Sequence, residues 1–352
     1  KVSTIDPMTL MAVLITLIAT GVAVYAVVFV YANRHARVQT GRIAQPSAFS
    51  DLPDATSSIS VLTWNIGYAA LGKNADLIVD KGRSFRALSA NEIDAAAHNI
   101  ADWLAANARD VICLQENATA GFLTRDVPLR SIIADALPAQ PHLFWSDMKS
   151  AFVPRFLHID HGMSVHARLS CSGGDADVLS QDGTHILGLL RKRYGALTSR
   201  YEISDAGQEW VIFNIHLIAY DAEGHARRHQ LEKLMRRAHL EYKKGNFVII
   251  AGDWNMRLTP TEFKSRTEPK NLPWATDFPR EVLPENWRLV VDKKTPTVRS
   301  LETNYRPGAN YTTIVDGFVT SPNVALKQVL TDDQGFRLSD HHPVKAEFVA
   351  RL

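Results

Sequence analysis

The first pattern along the chain is an uncharged run from Met8 to Asn33, MTLMAVLITLIATGVAVYAVVFVYAN. About 20 apolar residues suffice to cross a bilayer core as a helix. Tyr25 and Tyr31 lie toward one end, where interfacial aromatics belong. The run is longer than a usual signal-peptide core, and no small-x-small cleavage site follows it. A spanning anchor is therefore expected, in preference to a cleaved signal or a buried core helix. Lys1–Pro7 lacks an initiator Met, and Met8 is read as the natural start. Residues 34–57 mix Gln, Thr, Ser, Pro and Asp without periodicity and are expected as a juxtamembrane linker. The body is expected over 58–352.

Within the body, short apolar, β-branched runs end in polar residues. SISVLTWN ends at Asn65, DVICLQE at Glu116 and EWVIFNIH at Asn214 and His216. NFVIIAGDWN ends at Asp253 and Asn255, YTTIVDGFVTS carries Asp316, and LSDHHPVKAEF places Asp340, His341 and His342 before a last strand. Length and composition read as buried strands. Ala90–Ala108 repeats Ile93, Ala97, Ile100 and Leu104 near a helical period, and Ala226–Tyr242 is basic and amphipathic. Tyr194–Ile203 and Glu209–Leu217 read as a hairpin-like pair, and residues 260–300 as loops and short helices. Alternating helices and strands imply a layered α/β or α+β domain.

Composition narrows the class. The chain has 352 residues, 46% hydrophobic and 22% charged, so wholesale disorder is excluded. Two cysteines, Cys113 and Cys171, provide no disulfide framework. Of 39 basic and 37 acidic residues, residues 1–50 hold four and one. The remaining 35 and 36 leave the body nearly neutral, which argues against a broad nucleic-acid surface. Arg34, Arg37 and Arg42 flank the apolar run, so the positive-inside rule places the body in the cytoplasm.

Glu116, Asp253 and Asp340 offer carboxylates, and Asn65 and Asn255 neutral amide oxygens. Such oxygens suit Mg²⁺, with Mn²⁺ as the alternative. Phosphate-ester hydrolysis needs charge neutralised, a water oriented and a leaving oxygen protonated. His216 and His341 suit proton transfer, and Asp316 could fix a histidine tautomer. Each residue alone is weak evidence: a strand-terminal Asn is usually a turn residue. Polar groups at the ends of several buried strands are costly without a shared purpose.

WNIG, LQE, NIHL, GDWN, IVDGFVTS and SDHHP, in this order, resemble the endonuclease/exonuclease/phosphatase superfamily over about residues 58–350. Its members include deoxyribonuclease I-like nucleases, abasic-site endonucleases, inositol polyphosphate 5-phosphatases and neutral sphingomyelinases. The resemblance implies an α/β fold, a four-layered sandwich of two packed mixed sheets flanked by helices. It implies Glu116 as principal metal ligand, with Asn65 binding metal or phosphate and Asp340 a second metal ligand. It makes Asp253 the residue that orients or deprotonates water, at the metal, and Asn255 a phosphate holder. Asn214 and His216 would stand at the scissile group, with His216 a general acid. His341 would be the second catalytic histidine, oriented by Asp316, and His342 neighbouring structure. His158, Asp160 and His161 are read as solvent-facing loop residues beside the pocket. Lys73, Lys81 and Arg83 are read as a solvated loop. The stretch WNIGYAALGKNADLIVDKG is similar to a bacterial membrane-anchored branch.

The substrate is less determined than the chemistry. A phospholipid or sphingolipid headgroup ranks first, because an anchor holds the site near a bilayer and a neutral body needs no polyanion. FVPRF and LIAY offer apolar contacts there. A membrane-tethered nuclease is the alternative, using the basic helix and the Arg191–Arg193 cluster, although such runs are usually solvated faces. A non-enzymatic membrane module ranks last, since a scaffold needs none of these polar positions.

Overall fold

The computed structural model describes residues 6–35, 41–43, 46–86, 88–154, 157–181, 192–203, 207–219, 221, 224–267, 272 and 275–351. In chain order its elements begin α1 (Pro7–His35), β1 (Gly41–Arg42), β2 (Ser58–Asn65), α2 (Ala90–Ala106), β3 (Val111–Ala118) and α3 (Leu129–Ala136). Then come β4 (His142–Lys149), β5 (Asp160–Ala167), β6 (Gly173–Gln181), β7 (Arg193–Glu202), β8 (Glu209–His216), α4 (His225–Lys243) and β9 (Phe247–Asp253). The chain finishes with β10 (Arg288–Val290), β11 (Val298–Arg299), β12 (Thr312–Thr313), β13 (Asp316–Thr320), β14 (Val324–Thr331) and β15 (Val344–Ala350).

Two mixed sheets stack face to face. One has the order β1-β6-β7-β8-β9-β13-β10 and the other β14-β15-β2-β3-β5-β4. The pairs β2/β3 and β8/β9 are parallel, while β15/β2, β3/β5, β7/β8 and β13/β9 are antiparallel. Side chains follow the strand period of two. In β2, Ile59 and Val61 fill the core between the sheets, while Leu62 and Trp64 pack under α2 and α3. In β9, Phe247, Ile249 and Ala251 face the opposite sheet, while Val248 and Ile250 face α4. A helical layer thus covers the outer face of each sheet, giving the four-layered α/β sandwich the sequence implies.

Helix α2 starts where its sequence permits. Ser89 Oγ accepts from Glu92 N at 3.3 Å, and Glu92 Oε2 accepts from Ser89 N at 2.8 Å, a reciprocal cap that satisfies two orphan donors. The helix buries Ile93, Ala97, Ile100 and Leu104. Each buried Ile or Leu there contributes about 1.5–3 kcal/mol of apolar transfer. Helix α1 is long and apolar enough to cross a membrane, and its apolar window is not buried.

Several elements depart from expectation. Part of the segment read as a linker packs on the body: β1 pairs with the edge of β6, and Ile43, Phe49 and Ala55 enter the inter-sheet core. The run 311–321 divides into β12, which pairs with β11, and β13, which pairs with β9. Strands β4, β6 and β14 and helix α3 carry no clear periodicity in the sequence. Trp274 lies outside the described residues.

Candidate active site

The inward register selects the side chains that meet at one end of the sandwich. Asn65 continues the inward series of β2, and Asp253 that of β9. Asn65 Nδ2 donates to Asp253 Oδ2 at 3.0 Å, bridging the two sheets. Parallel pairing sets His216 of β8 beside Asp253, and antiparallel pairing sets Asp316 of β13 opposite it. Gly252 lets β9 run this close, because a Cβ there would lie 2.1 Å from the Ile215 carbonyl oxygen.

Glu116 reaches the site by breaking the alternation. Cys113 is inward and Leu114 outward, so an unbroken strand would turn residue 116 toward the helices. The ladder with β5 shifts register between Leu114 and Asn117, and Glu116 adopts φ +55°. This bulge re-aims the carboxylate. Tyr68, Ala69 and Asn255 also have positive φ, so backbone strain gathers around the site, a pattern common where function over-determines geometry.

These residues line a cavity of about 170 Å³. Asn65, Glu116, His216, Asp253, Asn255, Asp340 and His341 form its wall together with Tyr68, Lys192, Tyr194 and Arg299. Asp316 lies behind His341, whose Nδ1 is 2.8 Å from Asp316 Oδ2. Thr297 Oγ1 accepts from the Asp316 backbone N–H at 3.0 Å, fixing that carboxylate. Trp64 Nε1 donates to the His341 carbonyl at 3.0 Å, and Ser339 Oγ accepts from the His341 N–H at 3.1 Å.

Asp253 is held by three donors. Asn255 N donates to Oδ1 at 2.9 Å, while Asn65 Nδ2 and Asn255 Nδ2 reach Oδ2 at 3.0 and 3.3 Å. Burial nevertheless pushes its carboxyl up to about 6, against the pull of His341. The two histidines are driven apart. Burial opposes charge on His341, but Asp316 and Asp253 outweigh it and hold the imidazolium well above its ordinary value. Burial, with Lys192, His341 and His161 nearby, holds His216 well below. His216 Nε2 lies 3.7 Å from Asp253 Oδ2 and 4.0 Å from Glu116 Oε1. The pair thus divides: Asp316 and Asp253 favour charge on His341, and burial disfavours it on His216.

The donor set fits a divalent cation. Burial pushes the Asp340 carboxyl up to about 7, and the facing Glu116 carboxylate adds to the shift. A buried carboxylate, Asp340, and a half-buried one, Glu116, line the same cavity, and a hard cation between them would relieve their mutual repulsion. Asn65 Oδ1 accepts only from Gly67 N among the described groups, at 3.0 Å, and has a second lone pair for such an ion. Asp253, Asp316 and His341 bring ligand atoms within 4.8 Å of one another. Two of them are already hydrogen-bonded together, so that trio is better suited to moving a proton.

Asn214 requires correction. It is inward-facing but one step deeper than His216, in the closed core. Its Oδ1 accepts from Gln115 Nε2 at 2.6 Å, and its Nδ2 donates to the Leu114 and Ser164 carbonyls at 3.1 and 3.0 Å. It is not among the residues that line the cavity, and its bonds across the sheet interface tie the sandwich together. His161 also departs from the solvent-facing reading. It is buried, 2.7 Å from Asp147, with its ring edge on Tyr68. Asp160 pairs with Lys149 on the strand edge, and Lys73, Lys81 and Arg83 are exposed as expected. His342 is structural: its Nε2 accepts from Phe336 N at 3.1 Å, its Nδ1 lies 2.8 Å from the Pro296 carbonyl, and its ring stacks on Phe336.

Sequence reasoning missed four wall residues. Burial and the neighbouring Glu116 carboxylate push the Tyr68 hydroxyl up. Lys192 Nζ lies 3.8 Å from Glu116 Oε1, and burial opposes its charge, but Asp147, Tyr194, Glu116 and Asp253 hold its pKa up. Tyr194 packs edge-on against His216. The Arg299 guanidinium binds the Leu71, Gly72 and Ala75 carbonyls at 3.3, 2.7 and 3.1 Å, pinning the loop after β2 beside Asp340. Lys192 was visible as part of a basic cluster; Arg299 sits in no motif at all.

The chain belongs to the Endonuclease/Exonuclease/phosphatase family, whose model matches residues 62–341. No curated protein matches it. Its fold is similar to the endonuclease/exonuclease/phosphatase from Bacteroides vulgatus, at 14% identity, TM-score 0.53, covering 83% of this chain and 99% of that one. A family protein from Leptotrichia buccalis gives 14%, 0.52, 82% and 99%. TDP2 from D. rerio, complexed with single strand DNA product, gives 15%, 0.51, 83% and 99%.

Proposed function

We propose that the chain is a membrane-anchored, divalent-metal-dependent phosphoesterase acting on a phospholipid or sphingolipid headgroup, by phosphodiester cleavage or phosphate removal. The observation that carries the phosphoesterase reading is the convergence of Glu116, Asp340, Asn65, Asp253 and the Asp316–His341 pair on one small cavity. Glu116 and Asp340, with Asn65, would hold Mg²⁺ or Mn²⁺, and Asp253 stands at its edge. Bound there, the ion supplies Lewis acidity and offsets phosphate charge.

The protein groups divide the remaining work. Asp253, held by Asn65 and Asn255 and poised near 6, accepts a proton from the attacking water. Asn255 lines the same edge as a positioning residue: its backbone N–H and side-chain amide donate to Asp253, and Nδ2 is tied to the Leu217 carbonyl at 2.8 Å. His341, kept cationic and oriented by Asp316, stabilises the negative charge that develops on phosphorus oxygens. His216 faces the cavity from β8 and would pass a proton to the departing oxygen as general acid, with the Lys192 cation, just before β7, beside it.

The lipid reading rests on α1, long and apolar enough to span, beside a body with 35 basic and 36 acidic residues beyond residue 50 out of 39 and 37 in all. The cytoplasmic orientation rests on Arg34, Arg37 and Arg42 alone. One observation favours the nuclease alternative: an open cleft of about 630 Å³ lined by Arg257, Arg266 and Arg280. Arg257 is paired with Asp277 at 2.8 Å, which lowers the charge available to a polyanion. Side-by-side assay of phosphate or headgroup release from vesicles and cleavage of DNA at physiological salt separates the readings. Preferential release from vesicles supports the first, and preferential DNA cleavage overturns it.

A further inference from the structure

Among the described residues the body exposes seven large apolar side chains, and four of them lie on two loops, one of which helps to wall the cavity. Ile78 and Phe85 lie on the loop after β2, and Phe152 and Leu157 on the loop between β4 and β5; they are 57%, 67%, 64% and 43% exposed. These loops are latched to each other through a third, which follows the strand that carries Glu116. Arg86 Nη1 donates to the Phe122 carbonyl at 2.9 Å, and the Phe85 and Phe122 rings meet edge to face at 6.0 Å. Phe122 N donates to the His158 carbonyl at 2.7 Å. The first loop is also part of the cavity wall, through Leu77 and Asp80.

The same surface touches the apolar helix. The Tyr25 hydroxyl of α1 donates to the Phe152 carbonyl. Tyr25 lies six residues before Tyr31, the end of the apolar span, so at the helical rise Phe152 sits about 9 Å inside that end. Interfacial apolar faces bury to a similar depth, about 5–10 Å, at the boundary of headgroups and acyl chains. Exposed Lys81 and Arg83 lie on the loop that bears Ile78 and Phe85, where cations suit anionic headgroups.

We propose that Ile78, Phe85, Phe152 and Leu157 form a lip that inserts into the bilayer crossed by the chain's own helix. The lip sets the mouth of the cavity against the headgroup layer, so that substrate moves from the bilayer to the metal-ligand wall without crossing bulk water. The partner is a lipid surface. The inference rests on the membrane-anchored reading above and adds the surface through which the body engages the membrane.

The test uses the full chain in phosphatidylcholine/phosphatidylglycerol vesicles. Single variants Ile78→Cys, Phe85→Cys and Phe152→Cys carry an environment-sensitive fluorophore, with Leu240→Cys and Leu326→Cys, exposed apolar positions elsewhere, as controls. Cys113 and Cys171 are buried and do not compete for label. The lip labels are expected to shift to the blue and lose emission to nitroxide-bearing lipids while resisting aqueous iodide; the controls should respond to iodide alone. Lip labels that behave like the controls, or that resist both quenchers as a protein partner would make them, overturn the proposal. The triple variant Ile78→Ser/Phe85→Ser/Phe152→Ser is expected to lower turnover of vesicle lipid about tenfold or more, from lost apolar insertion. Its hydrolysis of bis(p-nitrophenyl) phosphate should remain at the wild-type level. Unchanged turnover of vesicle lipid in that variant also overturns the lip. Failure of the wild-type chain to hydrolyse that diester, p-nitrophenyl phosphate and vesicle lipid alike would instead refute the phosphoesterase reading, while leaving the quenching result to stand.

Discussion

His341 Nδ1 lies 2.8 Å from Asp316 Oδ2, both groups buried at the end of β13 where the two sheets converge. The contact orients the imidazole ring and favours its charged form. Asp316→Asn keeps the shape but loses that charge. We expect turnover to fall on the order of 10²–10⁴-fold with an unchanged melting temperature, as for other orienting carboxylates. Wild-type turnover in Asp316→Asn would remove His341 from charge stabilisation.

Tyr68 touches Glu116 through its hydroxyl. Tyr68→Phe removes the hydroxyl beside Glu116 and keeps the ring against His161. Groups that support a metal ligand from behind typically tune affinity about 10–100-fold. Activity titrated with Mg²⁺ should show a weaker midpoint of that size, with turnover largely recovered at saturation. An unchanged midpoint would separate Tyr68 from metal binding.

Asn214 sits in the core, bonded to Gln115, Leu114 and Ser164 across the sheet interface. Asn214→Ala strands those groups without water. Each orphaned buried group costs about 1–3 kcal/mol, so denaturant unfolding should show a clear loss of stability. Near-native stability with abolished turnover would instead restore Asn214 to a role at the substrate.

His166 is wholly buried, its ring stacked with His142 at 4.8 Å. Burial, reinforced by His142 and opposed by a backbone contact at Gln140, lowers its pKa to about 3. The folded value lies below the unfolded one, so the unfolded chain binds the extra proton between them. Stability from this site is complete above about 6.5, the ordinary histidine value, and declines by up to about 1.4 kcal/mol per pH unit as pH falls toward 3. His166→Phe should flatten the acid side of a melting-temperature profile. An acid slope identical to wild type would exclude His166 as its source.

The strands that end in Asn65, His216 and Asp253 were readable from the sequence because inward parity and motif coincide there. Glu116 was readable only from its motif: its parity points outward, and a bulge that spacing does not reveal turns it in. Asn214 shows the converse. It occupies a motif position, yet two residues of strand separate the cavity from the closed core, and one-dimensional spacing does not mark that boundary. Arg299 binds backbone carbonyls alone and carries no sequence signature. Strand β14 escaped notice because Lys327 and Gln328, side by side, interrupt its apolar residues and half of the strand is exposed. Ile43 and Phe49 escaped notice because a short edge pairing needs no periodicity.

The most direct measurement is hydrolysis of a soluble phosphodiester by the full chain after chelation, on re-addition of Mg²⁺ or Mn²⁺, for wild type and Glu116→Ala. We expect chelation to abolish turnover, metal to restore it in wild type, and Glu116→Ala to remain at least about 10²-fold impaired at the same metal concentration. Full turnover in the chelated enzyme, or metal-restored wild-type rates in Glu116→Ala, would contradict a metal-dependent phosphoesterase built on this cavity.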